Sequence, residues 1–300
     1  MFIQEDEIDW GKWQNETENR RKIKEKGAYR YSLDEYFAGN LYAKGCVLPW
    51  QKVRNVALRA GEVSLWAGVN GHGKSLLMGQ VILGLMEQDK RCLIASFEMR
   101  PEITLARMAR QATGLKLPTP EAIKQFSEWK QGNLYLYDHH GMVNTEQMLA
   151  VCRFAHHELG IDHLVIDSMM KCVNGEDDFN GQKNFVNALC SIARDTGMHI
   201  HLVHHMRKGN NEKEIGGKFD LKGSGSITDQ ADNVFIVWKN KEEAQKVAEN
   251  PHHFDREVPS AMLICEKQRN GEWEGRIKLW FDYRSQQFIE EADTPIHRYF

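Results

Sequence analysis

Two rhythms of apolar and polar positions run along this chain. "GEVSLWAGV" (61–69) alternates and carries Val, Leu and Trp, which predicts a strand. "SLLMGQVILGLMEQ" (75–88) places apolar residues at helical spacing. The pair then recurs. "RCLIASFEM" (91–99) reads as a strand. "PEITLARMARQATG" (101–114) reads as a helix with Pro at its start and Gly at its end. "GNLYLYDH" (132–139) is a strand, and "NTEQMLAVCRFAHHELG" (144–160) is a helix that opens with a capping box. "IDHLVIDS" (161–168), "NFVNALCSIARDTG" (184–197) and "MHIHLVHH" (198–205) complete the series as strand, helix and strand. Strands separated by helices in this way pair in parallel through right-handed crossovers. The last hundred residues change character. "NVFIVWKN" (233–240), "SAMLICEKQ" (260–268) and "GRIKLWFDY" (275–283) have short connections, and antiparallel additions at one sheet edge are expected there.

The fold class implied is α/β, with a mostly parallel twisted sheet flanked by helices. Residues 1–44 form an N-terminal extension, 45–290 the main domain and 291–300 a C-terminal tail. Three hundred residues with 41% hydrophobic content support one packed core of this size. The net charge of −3 rules out a uniformly basic coat, so any polyanion site is local. Six scattered cysteines, without a C-x-x-C, read as buried reduced thiols of a cytoplasmic protein. No apolar run reaches membrane-span length, so no membrane partner is expected. The acidic start "MFIQEDEIDW" does not read as a signal or transit segment.

The chemistry concentrates where strands end. Between the first strand and helix lies "GVNGHGKS" (68–75), which has the form G-x-x-x-x-G-K-S. Glycines let backbone N–H groups turn toward a phosphate, and the helix N-terminus adds partial positive charge. Lys74 can reach the β- and γ-phosphates, and the Ser75 hydroxyl can hold Mg²⁺. The nucleotide cradle is expected over Gly68, Gly71, His72, Gly73, Lys74, Ser75 and Leu76. In open α/β sheets the ligand sits at the carboxyl ends of strands. Asp167, after "HLVI", can hold the metal opposite Ser75. Glu98 can orient or deprotonate the attacking water. His205, or its neighbour His204, can sense the γ-phosphate; the start of a basic loop at Arg207 favours His205. Taken alone, an Asp there is often a cap, a Glu a solvated side chain and a His pair simple packing.

Six segments in order give the chain a specific resemblance: "GVNGHGKS", "IASFEMRPEITLARMARQATG", "HLVIDSMMK", "HLVHHMRK", "DLKGSGSITDQADNVFIVWK" and "CEKQRNGEWEGRIKLWFD". They resemble the DnaB-type replicative helicase family, in the branch of Twinkle and of the helicase half of phage primase-helicases. The resemblance spans about residues 45–285. It implies a RecA-like P-loop NTPase core and a ring of usually six copies. It also implies ATP (or another NTP) with Mg²⁺ as cofactors, and 5′→3′ movement on single-stranded or forked DNA.

It further implies catalytic roles for Lys74, Glu98 and His205, and Ser75 and Asp167 at the metal. Lys267 and Arg269 would reach into the neighbouring subunit's nucleotide. The same "RNGE" (269–272) reads independently as a hairpin turn, which would present Arg269 at its shoulder. Lys222, Gly223 and Gly225 would meet the DNA backbone, from a polar stretch, 207–228, that is long for an ordinary connection. A surface loop is the plain alternative. The segment 16–27 reads as a short charged helix, either a tether or a helix that docks on the next subunit. Residues preceding the P-loop strand show no zinc-ligand spacing and no acidic primase cluster, so a separate primase, polymerase or loader is the expected partner. Two other functions fit the same motifs less fully: a RecA- or KaiC-like ATPase without unwinding activity, and a helicase-associated loader. The expected location is the cytoplasm of a bacterial or phage-infected cell.

Overall fold

The computed structural model of the chain describes residues 2–3, 8–15, 34, 37–38, 45–139, 141–175, 177–206, 217, 220, 225–250 and 253–300. The chain opens with β1 (Phe2–Ile3) and α1 (Trp10–Asn15), then β2 (Gly45–Val47) and β3 (Ala57–Arg59), which pair as a separate antiparallel ribbon. The strand–helix series follows: β4 (Val63–Gly68), α2 (Lys74–Met86), β5 (Cys92–Ser96), α3 (Pro101–Thr113), α4 (Pro120–Trp129) and β6 (Leu134–Tyr137). It continues through α5 (Thr145–Leu159), β7 (His163–Asp167), α6 (Phe179–Thr196) and β8 (His199–His205). The last part holds α7 (Ser226–Gln230), β9 (Asn233–Lys239), α8 (Lys241–Glu249), β10 (Ala261–Gln268), β11 (Gly275–Asp282) and β12 (Gln287–Ile289).

Ten of these strands make one sheet in the order β1-β6-β5-β7-β8-β4-β9-β10-β11-β12. Pairing is parallel from β1 to β9 and antiparallel from β9 onward. One expectation is corrected here. The strand in "NVFIVWKN" runs parallel to β4, with Trp66 opposite Phe235, and antiparallel pairing starts only with β10. Strand β10 then pairs antiparallel with β9, with Leu263 opposite Val237.

Strand β4 is buried on both faces, and its alternation splits the core into two layers. Val63, Leu65 and Ala67 face one layer with Ile166 and Leu202. Trp66 faces the other with Leu77, Ile82 and Val203, and stacks on Phe235 at 4.4 Å. Helix α2 is apolar almost all round because the sheet, α3 and the 45–59 ribbon enclose it. The predicted capping box of α5 is present: Asn144 Oδ1 accepts from the Gln147 N–H at 2.7 Å, and Gln147 answers to the Asn144 N–H. Helix α4 was not anticipated, although Thr119 caps it and Pro120 starts it. All six cysteines are free and buried, as expected. Of the N-terminal extension, β1 adds to the sheet edge beside β6, and Lys12 of α1 meets Glu158 of α5 at 2.8 Å. The 16–27 segment lies outside the described residues.

A row of histidines crosses the second layer. The Trp66 indole N–H donates to His201 Nδ1 at 3.1 Å. The proton of His201 is therefore on Nε2, which donates to His163 Nδ1 at 3.1 Å. His199 Nδ1 donates to the Arg59 carbonyl at 2.6 Å, so its Nε2 accepts from the Ser64 hydroxyl. All three rings are thus held neutral. Burial pushes His163 and His201 well below the ordinary histidine range and His199 down to about 4. The unfolded chain takes up protons below about pH 6.5 that the folded chain refuses, so stability is full above that pH and falls with acidification. The expected loss is about 1.4 kcal/mol per pH unit for each histidine once below its unfolded pKa. Urea unfolding at pH 7.5 and 5.5 checks this. An unchanged midpoint would show that the rings protonate in place.

Candidate nucleotide site

The site gathers at the carboxyl ends of β4, β5, β7 and β8. Gly68 ends β4, where a Cβ would come within 2.5 Å of the Val237 carbonyl on β9, so no side chain fits. The loop that follows turns through Gly71 (φ 81°) and Gly73 (φ 85°), a region in which L-residues are strained. Gly73 caps α2, whose first-turn N–H groups have no helical partner and face the loop. Lys74 starts the helix and folds back: Nζ donates to the carbonyls of Gly68 at 2.9 Å and Val69 at 3.2 Å. Burial lowers the Lys74 pKa, while Asp167 and Glu98 pull it up. An ammonium held by neutral carbonyls is under-neutralised, and an anion in the loop would relieve it.

Ser75 and Asp167 are brought together. The Ser75 hydroxyl donates to the Asp167 carboxylate, which is buried at the end of β7. Burial raises the Asp167 pKa and the nearby Glu98 charge adds to this; the Ser75 bond and Lys74 oppose it. Two carboxylates beside one lysine suit a divalent cation.

Glu98 lies two residues past β5. Its Oε1 accepts from the Ser168 hydroxyl at 3.3 Å and lies 3.6 Å from His205 Nε2. The His205 bond, foremost, holds the Glu98 carboxyl below its ordinary pKa against the opposing effect of burial. His204 and His205 point to opposite sides of β8. His204 is fully buried, whereas His205 sits opposite Gly68 in the ladder and faces Glu98. His72 is buried in the loop, with Nδ1 3.4 Å from the Lys239 amide, and Leu76 packs against the second core layer.

Lys267 and Arg269 are not at this cluster. Lys267 Nζ donates to the carbonyls of Thr228, Asp229 and Ala231 at 2.7–2.9 Å. Arg269 donates to the Asp229 and Gln230 carbonyls and meets Asp232 at 2.9 Å. Both cations therefore cap the carboxyl end of α7, where the helix dipole favours positive charge. Gly225 is exposed at the start of α7 with open space around its Cα. Lys222 and Gly223 lie outside the described residues.

Sequence reasoning missed two groups. Ser168 holds Glu98, and a cluster of three aromatics reaches the loop through Phe288. Phe288 of β12 lies 3.5 Å from where a Gly73 Cβ would be, Phe281 packs on it at 5.0 Å, and the half-exposed Tyr283 packs on Phe281 at 4.9 Å. The aromatic run "FDYRSQQF" was the available signal.

A family model described as the DnaB-like helicase C terminal domain matches residues 55–290. The chain belongs to this helicase family. Two solved structures share its fold. One is described as an ATPase domain, with a TM-score of 0.72 and 14% identity over 89% of this chain and 99% of that chain. The other, "The Structure Of A DnaB-Like Replicative Helicase And Its Interactions With Primase", has the same TM-score and identity over 89% of this chain and 68% of that chain. At that identity the likeness establishes the fold, mostly parallel and RecA-like. The helicase domain has NTP hydrolysis as its family chemistry, and nucleotide with Mg²⁺ as its general cofactors. Among the described residues, no helix is long and apolar enough to cross a membrane.

Proposed function

We propose that this helicase domain uses ATP to drive a ring of copies, six by the family pattern, 5′→3′ along single-stranded DNA, unwinding duplex ahead of it. The observation that carries the reading is the convergence of Lys74, Ser75, Asp167, Glu98 and His205 at adjacent strand ends. On this reading Lys74 exchanges the Gly68 and Val69 carbonyls for phosphate oxygens, and the loop amides cradle the rest. Ser75 and Asp167 hold the divalent cation, which supplies charge neutralisation at the phosphates. Glu98 accepts the proton of the attacking water, and Ser168 fixes its carboxylate. His205 releases Glu98 to donate to the γ-phosphate. Tyr283 offers a ring on which the nucleotide base stacks.

Lys267 and Arg269 serve the next copy's nucleotide. To do so they leave the end of α7, the helix that follows the 207–225 stretch. That link would make DNA grip and hydrolysis depend on each other. Lys222, Gly223 and Gly225 would carry the DNA backbone contact, independent of sequence. A separate primase, polymerase or loader would complete the machinery in the cytoplasm.

The test is a forked duplex with ATP and Mg²⁺, tailed on either strand. Unwinding of the substrate with the 5′ tail, by a species that sizes as a ring, is the expected outcome. DNA-dependent turnover without strand separation would favour a RecA- or KaiC-like ATPase. No turnover at all would favour a loader.

A further inference from the structure

The wall on the metal side of the site contains two polar atoms that the fold leaves without partners. Ser96 ends β5 directly opposite Asp167 in the ladder with β7. Its side chain is 7% exposed, and its hydroxyl has no hydrogen-bond partner. On the same face of β5, Cys92 and Ile94 are apolar and packed in the core, so Ser96 breaks the stripe where the strand reaches the site. Gln111 of α3 is fully buried. Its amide nitrogen donates to the carbonyls of Leu76 and Gln286, both at 2.9 Å, and its Oε1 has no partner. Ser96, Gln111, Ser75 and Asp167 all line one cavity of about 20 Å³. That volume suits a single water, which needs two to four polar partners. Buried atoms without partners in a native fold mark places completed by a water or an ion.

A hard divalent cation of the Mg²⁺ type keeps several waters and uses only one or two carboxylates. Those waters need partners of their own, and such outer contacts orient the whole set. We infer that Ser96 is a further positioning residue for the metal, its hydroxyl anchoring the water shell on the Asp167 side with Gln111 Oε1 behind it. The inference rests on the proposed metal role of Ser75 and Asp167. It assigns to residues 96 and 111 a function that core packing does not require.

The test is direct Mn²⁺ binding to the full chain with ADP, read by electron paramagnetic resonance, for the parent, Ser96→Ala, Ser96→Thr and Asp167→Asn. Ser96→Ala is expected to weaken Mn²⁺ binding about 10- to 100-fold. Its ADP affinity in EDTA should stay at the parental value, and its unfolding midpoint should be unchanged or higher, because the lost hydroxyl had no partner. Ser96→Thr should restore the metal. If Asp167→Asn loses Mn²⁺ while Ser96→Ala binds it as the parent does, the inference is overturned and the metal site stands. If Ser96→Ala loses ADP in EDTA as much as it loses Mn²⁺, residue 96 is merely structural and the inference fails. If neither variant changes Mn²⁺ binding, the metal assignment fails, and the Ser96 role with it.

Discussion

Arg269→Ala is expected to lower ATP turnover by about 10³–10⁵-fold while leaving nucleotide binding to each subunit intact. That range corresponds to about 4–7 kcal/mol of transition-state stabilisation, more than any single surface contact supplies. A guanidinium delivered by the neighbouring copy would stabilise the charge that develops on the equatorial phosphate oxygens. Arg269 instead rests on the end of α7 and on Asp232. Removing it also disturbs that end. However, Asp232 keeps the Val63 amide at 2.9 Å, and Lys267 keeps all three of its carbonyl contacts, so the fold should hold. A mixing experiment separates the two effects. Glu98→Gln subunits carry an intact Arg269, and Arg269→Ala subunits carry an intact cradle. Neither population turns over alone, yet mixed rings contain interfaces with every part. Recovery of activity on mixing is the expected outcome. Rings of Arg269→Ala that hydrolyse at the parental rate would rule out a shared site.

Glu98→Gln should cost about 10²–10⁴ in turnover, the range typical of losing a general base. The substitution keeps shape and keeps an acceptor for Ser168, so ADP affinity and the unfolding midpoint should barely move. Only the proton acceptor is lost. The ionisation state supports this role. Glu98 is held below its ordinary pKa, chiefly by His205, so it is charged throughout the neutral range. Its contribution is full above the unfolded carboxylate pKa and is lost only as pH falls through the lower folded value. The acid limb of the parent's kcat/KM profile, which reports the free enzyme, should therefore lie below the usual carboxylate range. In His205→Ala that limb should shift to higher pH, because the bond that lowers Glu98 is gone. A kcat/KM limb that stays put in His205→Ala would show that the two side chains do not interact in the nucleotide-free site.

Several features were legible in the residue order because they are local. Gly71 and Gly73 are the residues that tolerate positive φ, and Lys74 and Ser75 follow them on a helix whose apolar spacing is plain. The capping box at Asn144 and the glycine stops at 114, 160 and 197 are likewise written within a few residues. Family motifs added Glu98, Asp167 and His205, which local pattern alone could not separate from caps and surface groups. Other features depended on neighbours distant in sequence. The parallel pairing of β9 follows from where the chain re-enters the sheet, not from its own alternation. That His205 and not His204 faces Glu98 needed β5 and β8 brought together, since a strand turns consecutive side chains to opposite faces.

By itself, then, the sequence determined the glycine turn before α2, the strand–helix rhythm and the order of chemical groups along it. These depend on backbone conformations and periodicities that span at most a few turns. Tertiary structure alone decided that Lys267 and Arg269 rest on α7, that Ser168 holds Glu98, and that Ser96 and Gln111 share a cavity with Ser75 and Asp167. Each of these is a contact across elements, set by sheet order and packing, and no spacing along the chain encodes a distance between strands that meet only after folding.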